Sequence, residues 1–119
     1  MIVERKRRDL PVTLYRILLY LSRMREREAD TRRLVRIERA TGIDRKELRQ
    51  HLSQLTEHGA IASIDSGRIG RGGHPEIAYA ITEVGRSIRI DLGRWIDLGV
   101  RLEYYPDSFF YLPSDDLGG

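Results

Sequence analysis

The stretch 31–81 constrains the fold more than any other part of the chain. It predicts a helix, a tight turn, a second helix and a hairpin, in that order. In the first helix, Leu34, Ile37 and Ala40 recur at helical spacing, and Thr31 is placed to cap it. A helix that follows such a turn can enter the major groove of DNA, and a basic hairpin can reach the neighbouring groove or the backbone.

The second helix has one apolar face and one polar face. Gly42 lies where the chain must reverse, and a positive φ costs a glycine least. Asp44 is placed to cap the helix, with Glu47 three residues later as a capping-box partner. The apolar stripe repeats at i, i+4 and i+7 and consists of Leu48, Leu52 and Leu55. The residues expected on the other side, all able to donate to phosphate or base edges, are Arg45, Lys46, Arg49, Gln50 and Ser53.

The hairpin is predicted from strand alternation around a glycine-rich turn. The first strand is expected from Ala60 to Asp65, and Ile77, Tyr79 and Ile81 alternate along the returning strand. Between them, residues 66–73 contain four glycines and predict a mobile turn that bears Arg68 and Arg71. The turn lacks the Gly-Lys-Ser/Thr of a nucleotide-binding loop.

Two segments resemble a known family, the winged helix-turn-helix regulators of the MarR and PadR kind. ATGIDRKELRQHLSQLTEHGAI is similar to the family's turn, recognition helix and exit, and GRGGHPEIAYAITEVGR is similar to its wing tip, returning strand and next helix start. Together they cover less than half of the chain. The resemblance implies DNA contacts on Arg45, Lys46, Arg49 and Gln50, with Arg68 and Arg71 in the hairpin, or wing. The chain departs from the family at Gly73-His74, where a second arginine is common, and His74 becomes a candidate phosphate donor or a turn residue.

The flanking segments predict further helices and a tail. Residues 10–28 form a helix with apolar groups on two sides, so we expect a partner or the C-terminal segment to cover the side that the core does not. Residues 82–99 form another helix, capped by Thr82, in which Gly93 lets a second helix approach closely. Its apolar stripe consists of Val84, Ile88, Leu92, Trp95 and Ile96.

The predicted fold class is therefore α+β and mostly helical, a winged helix-turn-helix with N- and C-terminal helical extensions. A basic arm spans residues 1–9, the domain spans 10–99 and an aromatic tail spans 100–119. Within the domain the expected elements are helix 1 (10–28), helix 2 (31–40), the recognition helix (44–58), the wing (60–81) and helix 4 (82–99).

The tail contains five of the nine aromatic residues of the chain. We expect this apolar surface to be buried and not exposed to water. It either folds back over helix 1 or packs on another subunit, and the sequence leaves both open. The resemblance implies a homodimer that pairs through terminal helices. The interface expected for it consists of Leu14, Leu18, Leu21, Ile88, Leu92, Trp95, Ile96, Tyr104, Tyr105, Phe109 and Phe110.

Composition agrees with an intracellular polyanion-binding protein. Residues 1–74 hold 17 basic and 10 acidic residues, whereas residues 75–119 hold 4 and 8. A basic front and an acidic back suit a protein that contacts DNA with one end. Cysteine is absent and no apolar run is long enough for a membrane span or signal region, so we expect a cytoplasmic location. Arginine outnumbers lysine 19 to 2, which is compatible with a thermophilic source and equally with GC-rich coding.

The sequence predicts no catalytic residues, no cofactor and no metal site. His51 and His58 are seven residues apart, and no carboxylate or thiol spacing completes a site with them. Two function classes remain: a DNA-binding transcriptional regulator, which the basic recognition face favours, and a winged-helix protein-interaction module of replication or transcription machinery. A non-specific chromosomal DNA-binding protein is a third possibility. The sequence does not indicate an operator, a regulated gene or a small-molecule effector.

Overall fold

The computed structural model describes residues 10–23 and 32–113. In these residues the chain is α+β and mostly helical, with four α-helices and one two-stranded antiparallel sheet. The elements are α1 (Leu10–Arg23), α2 (Leu34–Thr41), α3 (Arg45–Glu57), β1 (Ile61–Ile69), β2 (Pro75–Ile81) and α4 (Glu83–Arg101), with short 3₁₀ turns at Arg71–Gly73 and Asp107–Phe110. The predicted basic arm, the predicted end of helix 1 and Thr31 lie outside the described residues. No described helix has both the length and the apolarity to cross a membrane.

The turn between α2 and α3 follows from two local signals. Gly42 adopts φ 71°, a left-handed conformation, and its amide donates to the Glu38 carbonyl oxygen at 2.9 Å. Asp44 then caps α3, since its carboxylate accepts from the Lys46 amide at 3.2 Å. The start of α2 differs from the prediction, because the helix begins at Leu34. Arg33 occupies the N-cap position, but its side chain makes no capping hydrogen bond.

One core lies where α1, α2, α3 and the start of the hairpin meet. The predicted stripe of α3 is confirmed, because Leu48, Leu52 and Leu55 are all buried. Ile37 and Ala40 of α2 are buried as well, and Leu34 is partly buried against the same core. The buried members of this cluster are Ile17, Leu18, Leu21, Ile37, Ile43, Leu48, Leu52, Leu55, Ala60 and Ile61. With its apolar side in this core, α3 turns its polar side outward.

The hairpin is longer than predicted and contains a bulge. Ile61 pairs with Ile81, and the register holds as far as Asp65 opposite Ile77. After an irregular stretch, Ile69 pairs with Pro75, so β1 runs four residues beyond its expected end. The Asp65 carboxylate accepts from the Gly67 amide at 2.8 Å, and Gly67 has φ 82°, which lets the strand bulge and continue. The expected mobile turn over 66–73 is therefore corrected to a shorter one that follows Ile69.

The start of α4 is joined closely to the end of the α3–β1 connection. The Thr82 hydroxyl donates to the Gly59 carbonyl oxygen at 2.6 Å and accepts from the Gly85 amide at 3.1 Å, which confirms the predicted cap. Gly85 is buried, and a Cβ atom there would overlap the carbonyl oxygen of Ala60 and lie 2.8 Å from the Ile81 side chain. The close approach predicted for Gly93 is looser, since a Cβ there would lie 3.4 Å from the Tyr15 ring.

The aromatic tail folds back over α1. The rings of Phe110 and Tyr15 meet edge to face, with centroids 6.2 Å apart, and the Arg16 guanidinium lies 5.9 Å from the centre of the Phe109 ring. Tyr105 packs on Gly99 of α4, and Leu112 is almost fully buried. This second cluster is built around Val12, Tyr15, Leu19, Ile96 and Leu112. The second apolar side of α1 is therefore covered by the chain's own tail, which is one of the two alternatives that the sequence left open.

Fold-back corrects the expected dimer interface. Leu18, Leu21 and Ile96 are completely buried within the chain, so another copy cannot contact them without opening the core. Six further residues of the expected interface are partly buried against the chain's own two clusters: Leu14, Ile88, Leu92, Tyr105, Phe109 and Phe110. Only Trp95 and Tyr104 of the expected set stay largely exposed, at 55% and 80%. Any pairing surface must therefore lie elsewhere than on the second side of α1.

The fold-back predicts that Phe110→Ala destabilises the monomer. We expect the free energy of unfolding to fall by about 2 kcal/mol, less than the roughly 3–5 kcal/mol of a fully buried ring because Phe110 is half-buried. Guanidinium unfolding measures the change. Tyr104→Ala is the matched control, and its ring is so exposed that we expect a change within about 0.5 kcal/mol. Equal losses for the two variants would contradict the packing of the tail on α1.

Candidate nucleic-acid interface

The outward side of α3 presents donors to solvent. Lys46, Gln50 and Ser53 are exposed, as their spacing predicts, and they lie opposite the buried leucine stripe. Arg45 is also exposed, but its guanidinium is paired with the Glu38 carboxylate of α2 at 2.8 and 3.2 Å. An exposed pair of this kind contributes little to stability, so Arg45 can exchange Glu38 for a phosphate at small cost.

Arg49 does not share the outward direction of Gln50. It lies on the side of α3 that faces β2, where it lines a cleft together with Tyr79. The sequence places Arg49 and Gln50 together on the groove-facing side of the helix, whereas the structure separates them. Since consecutive helical residues differ by about 100° around the axis, only one of the two can point directly away from the core.

His51 has a structural partner on its own helix. Its Nε2 atom lies 3.3 Å from the Glu47 carboxylate, one turn earlier, and both side chains are partly buried. Neither residue is on the side of α3 that carries Lys46 and Gln50, so we leave both out of the candidate interface.

The wing extends the candidate interface away from α3. Arg68 is exposed, but it belongs to β1 and not to the tip, which now consists of residues 70–74. His74 is exposed at the exit of that tip, against the backbone of Gly72. The side chain of Arg71 lies outside the described part of the structure.

Between α3 and the wing lies an open cleft of about 830 Å³. Leu34, Leu52 and Ile77 supply apolar lining, while Arg49, Ser53, Tyr79 and the ends of two glutamates supply polar groups. One of these glutamates, Glu76, is held by Arg33 through two bonds of 3.1 Å, one to each carboxylate oxygen. The positive charge of Arg33 therefore offsets Glu76 at the edge of the cleft.

Tyr79 remains a hydrogen-bond donor in this cleft. Burial raises the pKa of its hydroxyl, and the neighbouring positive charge of Arg49 opposes that rise only in part. The hydroxyl is therefore protonated at neutral pH. A protonated phenol and a guanidinium in one cleft form a donor pair suited to an anionic oxygen.

Several residues of this surface were missed by the sequence analysis. Arg36 and Arg39 are exposed on α2, three residues apart and away from the buried Ile37 and Ala40, so helical spacing could have identified them. Tyr79 was assigned only to strand alternation. Its place beside Arg49 depends on the packing of β2 against α3, which has no local signal in the sequence.

Comparison with known proteins gives no match: no protein-family model, no curated protein and no solved structure is significantly similar to this chain. The assignment of function therefore rests on the residues and geometry described above.

Proposed function

We propose that this chain is a DNA-binding transcriptional regulator with a winged helix-turn-helix fold. The observation that supports the proposal most is the outward side of α3, where Lys46, Gln50 and Ser53 stand exposed over a buried leucine stripe. α3 follows a glycine turn and precedes a long hairpin, the order of elements in which a recognition helix enters the major groove.

The distribution of basic residues also supports DNA binding by this side of the molecule. The exposed basic residues of α2, α3 and β1 are Arg36, Arg39, Arg45, Lys46, Arg49 and Arg68. Such residues neutralise phosphates and make affinity fall with salt, whereas amide and hydroxyl side chains such as Gln50 and Ser53 read base edges. We therefore assign Lys46, Gln50 and Ser53 to the major groove, with Arg68, Arg71 and His74 on the wing side. Because the family that the two segments resemble is common in bacteria and archaea, whose chromosomal DNA lies in the cytoplasm, the proposal also places the protein there.

A homodimer is part of the proposal, with an interface different from the one that the sequence indicated. Four exposed apolar side chains follow one side of α4: Val84, Trp95, Leu98 and Leu102. Their spacing of 11, 3 and 4 residues follows the a and d positions of a coiled-coil seam, with Ile88 and Asp91 at the two positions between Val84 and Trp95 and with Leu102 as the C-cap of the helix. We propose that two copies pair along this seam, which would present two recognition helices to a two-fold symmetric site.

Selection of duplexes from a random pool, followed by a salt titration of binding, tests the DNA assignment. We expect log K to fall linearly with log salt, and Lys46→Ala combined with Gln50→Ala to cost about 1–3 kcal/mol on the selected duplex. Loss on a shuffled duplex should be clearly smaller, because non-specific binding depends on phosphates. Arg101→Ala is the charge-matched control, since Arg101 lies at the end of α4, is 69% exposed at its side chain and pairs with Asp97, outside the seam.

Other outcomes of the same experiment identify the alternatives. Equal affinity for selected and shuffled duplexes would indicate a non-specific chromosomal protein. No binding to any duplex would overturn the proposal and favour a protein-interaction module, for which the exposed Ile69 and Ile77 of the wing would be the first surface to examine.

A further inference from the structure

The cleft between α3 and the wing has a chemistry that differs from the rest of the candidate interface. It combines an apolar lining with a guanidinium and hydroxyl groups, whereas the outward side of α3 is entirely polar. We propose that this cleft holds one sugar-phosphate strand of the duplex, an inference that rests on the proposed function. Arg49 and Tyr79 bind a phosphate of that strand. Arg49 therefore contributes to the affinity for DNA and not to the choice of sequence.

The position of the cleft selects this occupant. If α3 lies in the major groove and the wing reaches the neighbouring minor groove, then one backbone strand separates the two elements, because a single strand divides adjacent grooves of a duplex. The space between α3 and β2 is therefore the part of the protein that must face that strand. Arg49 lines this space, and the exposed Gln50 lies about 100° further around the helix.

The composition of the cleft agrees with a strand of alternating sugar and phosphate. Leu52 and Ile77 offer apolar surface to deoxyribose, while Arg49 and Tyr79 offer donors to phosphate oxygens. Its volume of about 830 Å³ is within the range of sites that hold molecules of drug size, and a single inorganic anion would fill only a small part of it.

Neither of the two carboxylates of the cleft is expected to repel a phosphate held by Arg49. Glu76 is engaged by Arg33 at 3.1 Å on both oxygens. Glu57 is exposed and lies eight residues after Arg49, about 12 Å further along α3. The phosphate is therefore placed at the end of the cleft nearest Arg49 and Tyr79, where a positive charge and a second donor lie together.

Arg49→Ala, Tyr79→Phe and the double variant test the inference on two duplexes, one selected from a random pool by the wild-type protein and one with that sequence shuffled. We expect Arg49→Ala to weaken binding to both by about tenfold, with the two factors within about twofold of each other, and to reduce the log K against log salt slope by about 1. Tyr79→Phe keeps the ring in place and removes only the hydroxyl. It should weaken both duplexes by about three- to tenfold and leave the slope unchanged, because no charge is lost.

The double variant and a repeated selection complete the test. If both side chains grip one phosphate, the combined loss should be smaller than the product of the single losses. Selection with Arg49→Ala should return the same consensus as the wild-type protein. A changed consensus, or a loss on the selected duplex more than tenfold greater than on the shuffled one, would overturn the inference and make Arg49 a base-reading residue.

A result that overturns the strand in the cleft can be distinguished from a result that overturns DNA binding itself. A wild-type protein that binds no duplex removes the function itself, whereas a wild-type protein that binds DNA while Tyr79→Phe and Arg49→Ala keep full affinity removes only the strand from the cleft. Gln50→Ala serves as the contrast variant, because it should change the selected consensus and leave the salt slope intact.

Discussion

Gly85→Ala should be the most damaging single-methyl substitution in this chain. We expect the free energy of unfolding to fall by about 3 kcal/mol, the upper part of the range for overpacking, because the added Cβ would overlap the backbone carbonyl oxygen of Ala60. A backbone oxygen cannot rotate away as a side chain can. Displacing the start of α4 would also disturb the Thr82 cap, whose hydroxyl accepts from the Gly85 amide. Thermal and guanidinium unfolding measure the loss.

Gly93→Ala provides a matched control for Gly85→Ala. It is the same change in the same helix, but its Cβ would lie at van der Waals distance, 3.4 Å, from the edge of the Tyr15 ring. Because alanine favours a helix over glycine by about 1 kcal/mol, we expect a change between neutral and slightly stabilising. If Gly85→Ala were equally harmless, α4 would not approach the α3–β1 connection as closely as the structure indicates.

Trp95→Glu should abolish the proposed homodimer. Trp95 lies near the middle of the seam on α4, and buried tryptophans commonly dominate interface energetics. In a two-fold pairing, a glutamate at this position would lie near the same glutamate of the second copy and near Asp91. The interface would then bury negative charges beside one another. Light scattering at micromolar concentration should show the mass fall from twice 13.8 kDa to 13.8 kDa. Affinity for a two-fold symmetric duplex should fall at least about 100-fold, since the second half-site contact is lost.

Tyr111→Glu distinguishes a dimer interface along the seam from one on the tail. Tyr111 is as exposed as Trp95, at 57%, and the substitution introduces the same charge. We expect this variant to remain dimeric. Dissociation by Tyr111→Glu and not by Trp95→Glu would move the interface to the tail, and a wild-type mass of 13.8 kDa would remove the dimer from the proposal altogether.

The features that the sequence predicted correctly are those with local causes. The leucine stripe of α3, the Gly42 turn and the Asp44 and Thr82 caps each depend on residues within a few positions of one another. The outward direction of Lys46 and Gln50 follows from the same stripe. These signals were sufficient to place the polar side of α3, which is the basis of the proposed function.

The features that the sequence missed depend on contacts between distant parts of the chain. The Arg33–Glu76 pair joins residues 43 positions apart, and the placement of Arg49 in a cleft depends on where β2 packs. The tail could not be assigned because burial against α1 and burial against another copy require the same apolar residues. The extension of β1 was missed for another reason: Gly67 was taken as part of a turn, whereas its positive φ supports a bulge within the strand.

The fold-back of the tail has a consequence for biosynthesis. The Phe110 ring that packs against Tyr15 is synthesised about 95 residues after it, which at typical translation rates of about 5–20 residues per second means a delay of roughly 5–20 s. Until then, Val12, Tyr15 and Leu19 have no tail to cover them. The nascent chain therefore exposes an apolar strip on α1 until the tail residues 105–112 have been made, and during that interval the incomplete chain, more than the folded one, is the species that should recruit chaperones or aggregate.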